Sequence, residues 1–272
     1  MSYHQPPGFN LLPDVVKNLL IINGLFFLAT IALNASFGID LVKILGLYFP
    51  TAEQFEPYQF VTHLFMHGGL AHIFFNMFAL FMFGSLLENV IGPKRFFIYY
   101  FVTGFGAALL HLAVTGLGIW DLHSAVDAYT QNPGLENFRA FANENVPRQL
   151  MPTFTDFISN WQENPQARDY ADGSVQLANQ LLQRELSVPT VGASGAVYGL
   201  LLAFGLLFPN SYIYIYFLFP LKAKYFVMIF GAIELYSGIT SGTGGGIAHF
   251  AHLGGMLFGY LLIKYWGLQR FN

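Results

Sequence analysis

The chain has 272 residues, of which 54% are hydrophobic and only 10% charged, and its apolar residues stand in long blocks. This composition is typical of polytopic membrane proteins rather than of soluble domains. The net charge of -3 and the lack of a Lys/Arg cluster argue against nucleic acid as a partner. Because the chain has no cysteine, a thiol nucleophile, a thiolate metal site and a disulfide are all excluded.

Six apolar blocks predict six membrane-crossing helices. A helix needs about 20 apolar residues to cross the hydrocarbon, and the blocks are too long for the strands of a barrel. The predicted spans are, in chain order, about 14–35, 70–90, 94–117, 193–208, 224–240 and 245–265. The first block is longer than a signal-peptide core and has no A-x-A cleavage pattern, so we interpret it as a retained helix. The sequence therefore predicts an all-α polytopic membrane protein, with a core at 14–117 and 189–272 and a short tail at 1–13.

Two segments lie outside this pattern. Residues 36–69 mix apolar groups with Pro50, Glu53 and Glu56, which predicts a structured interfacial loop between the first two spans. Residues 118–188 hold most of the 15 acidic residues and predict an extramembrane insert before the fourth span. Its apolar residues at helical spacing are Phe154, Phe157, Ile158 and Trp161, and then Val175, Leu177, Leu181 and Leu182. We expect two amphipathic helices whose stripes either pack on each other or dock on the membrane surface.

The positions of the basic residues predict the orientation in the membrane. One side of the six predicted spans holds Lys17, Lys94, Arg95, Lys222, Lys224, Lys264 and Arg270. The short loops on the other side hold only Lys43. The positive-inside rule therefore puts both termini in the cytoplasm and the insert outside, and we expect a bacterial inner membrane.

Polar side chains in three of the spans suggest a catalytic site. Ser194 stands at the outer start of the fourth span, and His252 lies a few residues into the sixth. A serine hydroxyl is a weak nucleophile unless a neighbouring base takes its proton, and an imidazole does this near neutral pH. Polar groups within the hydrocarbon are costly, which makes such residues functional candidates.

The second span and the glycines complete this candidate site. His72 and Asn76 are spaced i, i+4, so both share one helix face and can point at an oxyanion beside the backbone N–H of Ser194. Small residues four apart let two helices approach closely, and the fourth and sixth spans both carry such pairs. They are Gly195 with Gly199, and Gly255 with Gly259.

Other interpretations remain for single residues. Taken alone, Ser194 in its glycine-rich run is more typical of a packing surface than of a nucleophile. His63 with His67 has metal-pair spacing but no third ligand nearby in the sequence. Glu234 is a carboxylate within a late span, which leaves a transporter or channel open. The alternative is a rim group turned toward water or toward the insert. Two Asp within spans and a His-Glu-x-x-His motif are both absent, which excludes aspartyl and zinc intramembrane proteases.

Three motifs in order resemble the rhomboid family of intramembrane serine proteases. The stretch 60–77 with Gly84, Glu88, Gly92 and Arg95 is similar to that family's loop and second helix. Gly192-Ala193-Ser194-Gly195 resembles its nucleophile motif. Ala251-His252-Leu253-Gly254-Gly255 with Gly259 resembles its last-helix motif. The likeness covers nearly all of the chain except the tail and the insert.

The resemblance implies a six-transmembrane-helix rhomboid bundle and a Ser/His dyad without a third acid. By position, Ser194 is the nucleophile, His252 the general base and acid, and His72 and Asn76 line the oxyanion hole. Gly192 shapes the turn of the nucleophile, and Tyr198 is the aromatic on which the imidazole stacks. The implied substrates are single-span membrane proteins, and no metal or cofactor is implied.

Two features depart from the family pattern. Tyr58-Gln59 stands where the family usually has a Trp-Arg pair, and the insert replaces a short connection. Because the insert emerges directly before Ser194, we expect it to cover part of the mouth of the site. A non-catalytic rhomboid-like protein that binds or escorts membrane helices is the alternative function.

Overall fold

The computed structural model describes residues 9–165, 169–215, 218–241 and 248–271. Over these ranges the chain forms twelve α-helices and one two-stranded sheet. The helices are α1 (Asp14–Phe37), α2 (Leu41–Leu45), α3 (Gln59–Thr62), α4 (Leu70–Ala79), α5 (Ser85–Ile91), α6 (Pro93–Gln131), α7 (Leu135–Asn145), α8 (Met151–Glu163), α9 (Asp169–Leu186), α10 (Ser194–Leu207), α11 (Ala223–Ser241) and α12 (His249–Tyr265). A 3-10 turn at His63–Phe65 follows α3, and a π-helical turn at Leu80–Gly84 joins α4 to α5.

The strands form a hairpin that the sequence analysis did not predict. β1 (Tyr212–Ile215) pairs antiparallel with β2 (Phe219–Lys222), with Tyr212 opposite Lys222. Tyr and Ile favour strands, and β1 consists of these two residues in alternation. The segment is too short to be recognised as an apolar block. The described residues are therefore mostly helical, and this strand pair lies between α10 and α11.

Three helices in the described ranges are long and apolar enough to cross a membrane. They are Asp14–Phe37, the continuous stretch Leu70–Ile91, and Pro93–Gln131. On α1, Ile21, Leu25, Leu28 and Ile31 are more than half exposed. So many exposed apolar side chains on one helix indicate a surface that contacts lipid rather than water.

The chain divides into two compact units, each with its own core. The first comprises Met1–Leu47, Gln54–Leu112 and Pro189–Asn272. Its fully buried side chains include Val16, Leu80, Phe96, Tyr99 and Leu200. The predicted tail at 1–13 and the start of the predicted sixth span lie mostly outside the described residues.

Glu88 holds the start of α1 in this first unit. Its two carboxylate oxygens accept hydrogen bonds from the backbone N–H groups of Val15 and Val16, at 3.0 and 2.9 Å. The first N–H groups of a helix have no partner within the helix, so a carboxylate there can accept their hydrogen bonds. Its negative charge also interacts favourably with the positive end of the helix dipole. Glu88 is 3% exposed and therefore acts as a buried structural cap.

The loop at 36–69 is tied to the segment that leads to Ser194. Leu47 and Thr190 exchange both backbone hydrogen bonds, at 2.9 and 2.8 Å, and the N–H of Gly192 donates to the carbonyl of His63 at 2.9 Å. Gln59, 1% exposed, donates to the carbonyls of Ile44 and Gln54. The dipeptide that departs from the family pattern thus braces this loop by its own hydrogen bonds.

Helices α10 and α12 pack at backbone contact, as their glycine pairs predicted. A Cβ built on Gly255 would lie 1.8 Å from the carbonyl oxygen of Gly195, and one on Gly259 would lie 3.4 Å from the Cα of Gly199. Only hydrogen fits at these positions. The glycines therefore set the distance between the helices that carry Ser194 and His252.

The second unit comprises Tyr48–Glu53 and Ala113–Val188 and has an aromatic core. Phe138, Phe154, Ile158 and Trp161 are all less than 10% exposed, and the hydroxyls of Tyr129 and Ser174 form a hydrogen bond. The two predicted apolar stripes lie on α8 and α9 and pack into this shared core.

The helix content of 118–188 is greater than the two amphipathic helices that we predicted. Three complete helices, α7, α8 and α9, lie there, and α6 continues through Gln131 rather than ending near 117. The prediction ended where hydropathy falls, but a helix keeps its own backbone hydrogen bonds in water as well as in lipid. Hydropathy marks a membrane boundary and not a helix boundary.

Candidate active site

Ser194 is the first residue of α10, directly after a turn that only glycine adopts readily. Gly192 has φ +117°, and a Cβ there would lie 2.7 Å from Nε2 of His72. The backbone conformation and the contact both exclude a larger residue. Gly192 thus brings the imidazole of His72 against the turn that presents Ser194.

His252 lies within hydrogen-bonding distance of Ser194. Its Nε2 is 2.9 Å from the Ser194 Oγ, and the residue is 9% exposed. The ring stacks on Tyr198, with ring centroids 4.1 Å apart and planes 5° from parallel. Because Ser194 and Tyr198 are one helical turn apart on α10, that helix supplies both the hydroxyl and the surface that orients the imidazole.

Glu234 of α11 lies on the other side of the His252 ring and is 7% exposed. Its Oε2 is 3.0 Å from Nδ1 of His252 and accepts a hydrogen bond of 2.7 Å from Nδ1 of His249. Its Oε1 accepts a hydrogen bond from the Tyr198 hydroxyl. The contact with His252 has the distance of an ion pair but not the geometry of a hydrogen bond, and His252 Nδ1 has no hydrogen-bond partner in the described structure.

The position of Glu234 therefore differs from the rim position that the sequence suggested, and it puts an acid beside the implied dyad. A rim carboxylate would be exposed to water, whereas this one is buried among three partners. The implied dyad had no third acid, whereas here a carboxylate lies beside the imidazole. The physical reason is that α11 packs against both α10 and α12, so a carboxylate on its inner face meets their polar side chains.

His72 and Asn76 both lie on α4, where the i, i+4 spacing placed them. The His72 ring lies beside Gly192, and its Nδ1 accepts a hydrogen bond from the N–H of Gly68 at 3.3 Å. The amide nitrogen of Asn76 donates to the carbonyl of His72 at 2.9 Å, within its own helix. The structure thus brings His72 to the turn before Ser194, while the Asn76 amide donates to the backbone carbonyl of His72.

One group in the described residues has the donor set of a metal site. Glu234, His249 and His252 place one ligand atom each within 4.8 Å of one another. Tetrahedral zinc would hold such atoms about 3.3 Å apart, given its bond lengths. The separations of 2.7 and 3.0 Å from Glu234 Oε2 fit shared protons better than a metal ion.

His63 and His67, the other possible metal pair, lie before α4. His63 Nδ1 hydrogen-bonds the carbonyl of Gln59 at 2.8 Å, and burial lowers the pKa of this histidine to about 4. The ring of His67 packs edge-on against His72, with centroids 5.1 Å apart. Neither histidine belongs to a group of three potential ligands in the described part of the chain. Both are buried supports of the loop.

His249 and Glu234 are the site residues that the sequence analysis missed or misassigned. A carboxylate within an apolar span is a signal in itself, because its charge needs a partner there. His249 stands three residues before His252, which puts both imidazoles on one side of α12. Together these two signals could have indicated a cluster of Glu234 with the two histidines. Neither signal identifies which helices meet.

Ser194 and His252 thus form a Ser-His pair between two closely packed apolar helices. This arrangement is typical of a helical membrane protein with a candidate hydrolytic site. The sequence model of the rhomboid domain matches residues 54–120 and 172–268. The chain is an integral membrane protein that belongs to the rhomboid family.

Curated relatives have similar sequences over part of their length. Rhomboid-like protein 15 of Arabidopsis thaliana is 24% identical over 163 residues, which are 53% of this chain and 40% of that protein. Rhomboid-like protein 11, chloroplastic, of the same plant is 36% identical over 95 residues, 32% of either chain. Rhomboid protease GlpG of Haemophilus influenzae is 26% identical over 121 residues, 44% of this chain and 62% of that protein. The matches thus span less than two thirds of each relative.

Proposed function

We propose that this protein is an intramembrane serine endopeptidase that hydrolyses peptide bonds in or near transmembrane segments. The observation that carries the proposal is the distance of 2.9 Å between Ser194 Oγ and His252 Nε2. Ser194 is the nucleophile and His252 the general base and acid. A relative named as a rhomboid protease, GlpG, supports this activity.

The proposed reaction is acyl transfer in two stages. Ser194 Oγ attacks the peptide carbonyl while His252 Nε2 takes its proton, and His252 then gives that proton to the departing amine. Water, deprotonated by the same imidazole, attacks the acyl-enzyme and releases the new carboxyl end, restoring Ser194. No metal or other cofactor takes part.

The negative oxygen that forms in each stage needs hydrogen-bond donors. Ser194 stands at the N-terminus of α10, so its backbone N–H has no partner within the helix and is available. We assign His72 and Asn76 as the side-chain donors, with Gly192 shaping the turn that lets them approach. Asn76 must leave its bond to the His72 carbonyl, or share it, to serve this role.

The length of α10 supports a site below the membrane surface. Its 14 residues span about 21 Å, whereas the hydrocarbon is about 30 Å thick. If the C-terminal end of α10 reaches one interface, Ser194 stands several ångströms inside the other. A single-span substrate helix would meet the nucleophile there, near its own outer end.

We further propose six spans, formed by α1, α4 with α5, the first part of α6, α10, α11 and α12. Both termini lie in the cytoplasm, and the site opens to the outer face of a bacterial inner membrane. The basic residues near the predicted inner ends of these helices support this orientation. Single-span membrane proteins are the expected substrates.

Cleavage by point variants in liposomes tests the proposal. A labelled single-span reporter is reconstituted with wild type, Ser194→Ala or His252→Ala, and both variants are expected to lose cleavage by at least about 10³-fold. The matched control is Ser85→Ala, since Ser85 is a buried serine of the same unit without a side-chain hydrogen bond in the described structure. It is expected to cleave like wild type.

Two results would count against the protease assignment. Equal cleavage by wild type and Ser194→Ala would show that another group or a contaminant acts. The escort function would be favoured if the wild-type protein binds the reporter tightly but never cuts it. In that case it should also not react with a serine-directed probe.

A further inference from the structure

A buried carboxylate contacts the proposed base and two further polar side chains beside it. Glu234 Oε2 faces Nδ1 of both His249 and His252, and Oε1 accepts from the hydroxyl of Tyr198. The three partners come from α10 and α12, and Glu234 comes from α11. Three helices thus converge on one carboxylate.

The position of Glu234 favours one of the two tautomers of His252. To accept the proton of Ser194, Nε2 must be free, so the neutral ring must carry its hydrogen on Nδ1. A carboxylate can only accept, and its negative charge 3.0 Å from Nδ1 favours a hydrogen on that nitrogen over the other, although the angle found here is not that of a hydrogen bond. When His252 takes the second proton, the same carboxylate lies against the resulting positive charge.

Tyr198 and His249 hold this carboxylate in place. Each donates to a different oxygen, which leaves Glu234 few orientations in a site that is nearly closed to water. Tyr198 also stacks on the His252 ring, so the side chain that fixes the plane of the imidazole also fixes the acid beside it. A side chain placed only to fill space would not need this set of partners.

We propose that Glu234 is the third member of a Ser194-His252-Glu234 triad. In this triad Glu234 positions the imidazole of His252 and stabilises its protonated form, and it does not touch the substrate. This inference rests on the proposed protease function. His249 supports the acid from the same helix as the base. The site is thus not limited to the dyad that the family resemblance implied.

The test compares Glu234→Gln with Glu234→Asp in the reconstituted full chain. The amide has the size of the acid but no charge, and its NH₂ can donate to Nδ1 and favour the wrong tautomer. We expect Glu234→Gln to lower kcat by at least about 10²-fold with KM within about twofold of wild type, by analogy with acid-to-amide changes in serine triads. Glu234→Asp keeps the charge and is expected to retain more turnover than Gln.

Glu88→Gln is the matched control, because Glu88 is an equally buried glutamate that only caps α1. It is expected to lower the thermal midpoint while leaving turnover per folded molecule unchanged. Labelling of Ser194 by a fluorophosphonate gives a second readout that needs no substrate, and Glu234→Gln is expected to slow it in parallel with kcat.

The outcomes separate this inference from the function on which it rests. If Ser194→Ala cleaves like wild type, the protease assignment itself fails. If Ser194→Ala is inactive while Glu234→Gln keeps kcat and labelling within about threefold of wild type, only the triad fails. It also fails if Gln retains more turnover than Asp, because the side chain would then be needed for its shape and not its charge.

Discussion

Tyr198 contributes to the site through two parts of its side chain. The ring stacks on His252 at 4.1 Å, and the hydroxyl donates to Glu234. Tyr198→Phe removes the hydroxyl and keeps the ring. Because one hydrogen bond contributes about 1 kcal/mol, we expect kcat to fall roughly fivefold to tenfold while Ser194 remains reactive.

Tyr99→Phe is the control for this substitution. Its hydroxyl donates to the carbonyl of Gly199 at 2.7 Å, also on α10, and the side chain is fully buried. This variant should lose a similar amount of stability by thermal unfolding with turnover per folded molecule unchanged. An equal loss of kcat in both variants would mean that the Tyr198 hydroxyl serves packing alone.

The residues of the site differ in how far the sequence could predict them. Ser194 and His252 stand in short motifs with local glycines, so their pairing was predictable from the chain. The role of Glu234 depends on the rotation of α11 about its own axis, and its residues 223–241 are apolar nearly all round. A helix of that kind does not reveal which face turns inward, since the hydrophobic pattern that would show it is weak.

At the scale of helices, the contact between α10 and α12 sets the geometry of the site. A methyl group on Gly255 would lie 1.8 Å from a backbone oxygen, which cannot rotate away as a side chain can. Gly255→Ala must therefore separate the helices or shift one along the other. We expect a loss of about 1–3 kcal/mol in unfolding free energy and at least about 10²-fold in kcat, because Ser194 and His252 lie on opposite sides of this contact.

Gly24→Ala is the matched glycine control on α1. A Cβ at Gly24 would meet no atom within 4 Å, so the substitution adds no clash. Both variants are compared by thermal unfolding in detergent and by cleavage of the reporter. Wild-type turnover in Gly255→Ala would show that the helices can separate without parting the two side chains.

The elements that the sequence analysis missed have a common cause. The spans were drawn from long apolar blocks, which gave α1, α10 and α11 to within two residues. The polar end of α6 and all of α7 have no such block. Their apolar residues stabilise these helices by packing into the core that they share with α8 and α9. Local composition therefore predicts membrane-length helices well, and helices that depend on mutual packing less well.

For the whole molecule, the absence of cysteine makes the proposed orientation directly testable. Every cysteine introduced into this chain is the only one, so thiol labelling reports a single site. Gln54 and Asn210 are exposed and uncharged, and replacing them leaves the balance of basic residues unchanged. They are expected on opposite sides of the membrane, Gln54 outside in the loop before α4 and Asn210 inside after α10.

A membrane-impermeant maleimide should label Gln54→Cys in intact cells and Asn210→Cys only after the membrane is opened. Both residues are exposed on the protein, so a difference in labelling can only come from the bilayer. Reversed labelling would invert the proposed orientation and turn the site toward the cytoplasm. Labelling of both from outside would require an even number of crossings between residues 54 and 210. The proposed bundle places three there, α4 with α5, the first part of α6, and α10, so this pattern would contradict the six-span arrangement while leaving the Ser194-His252 geometry untouched.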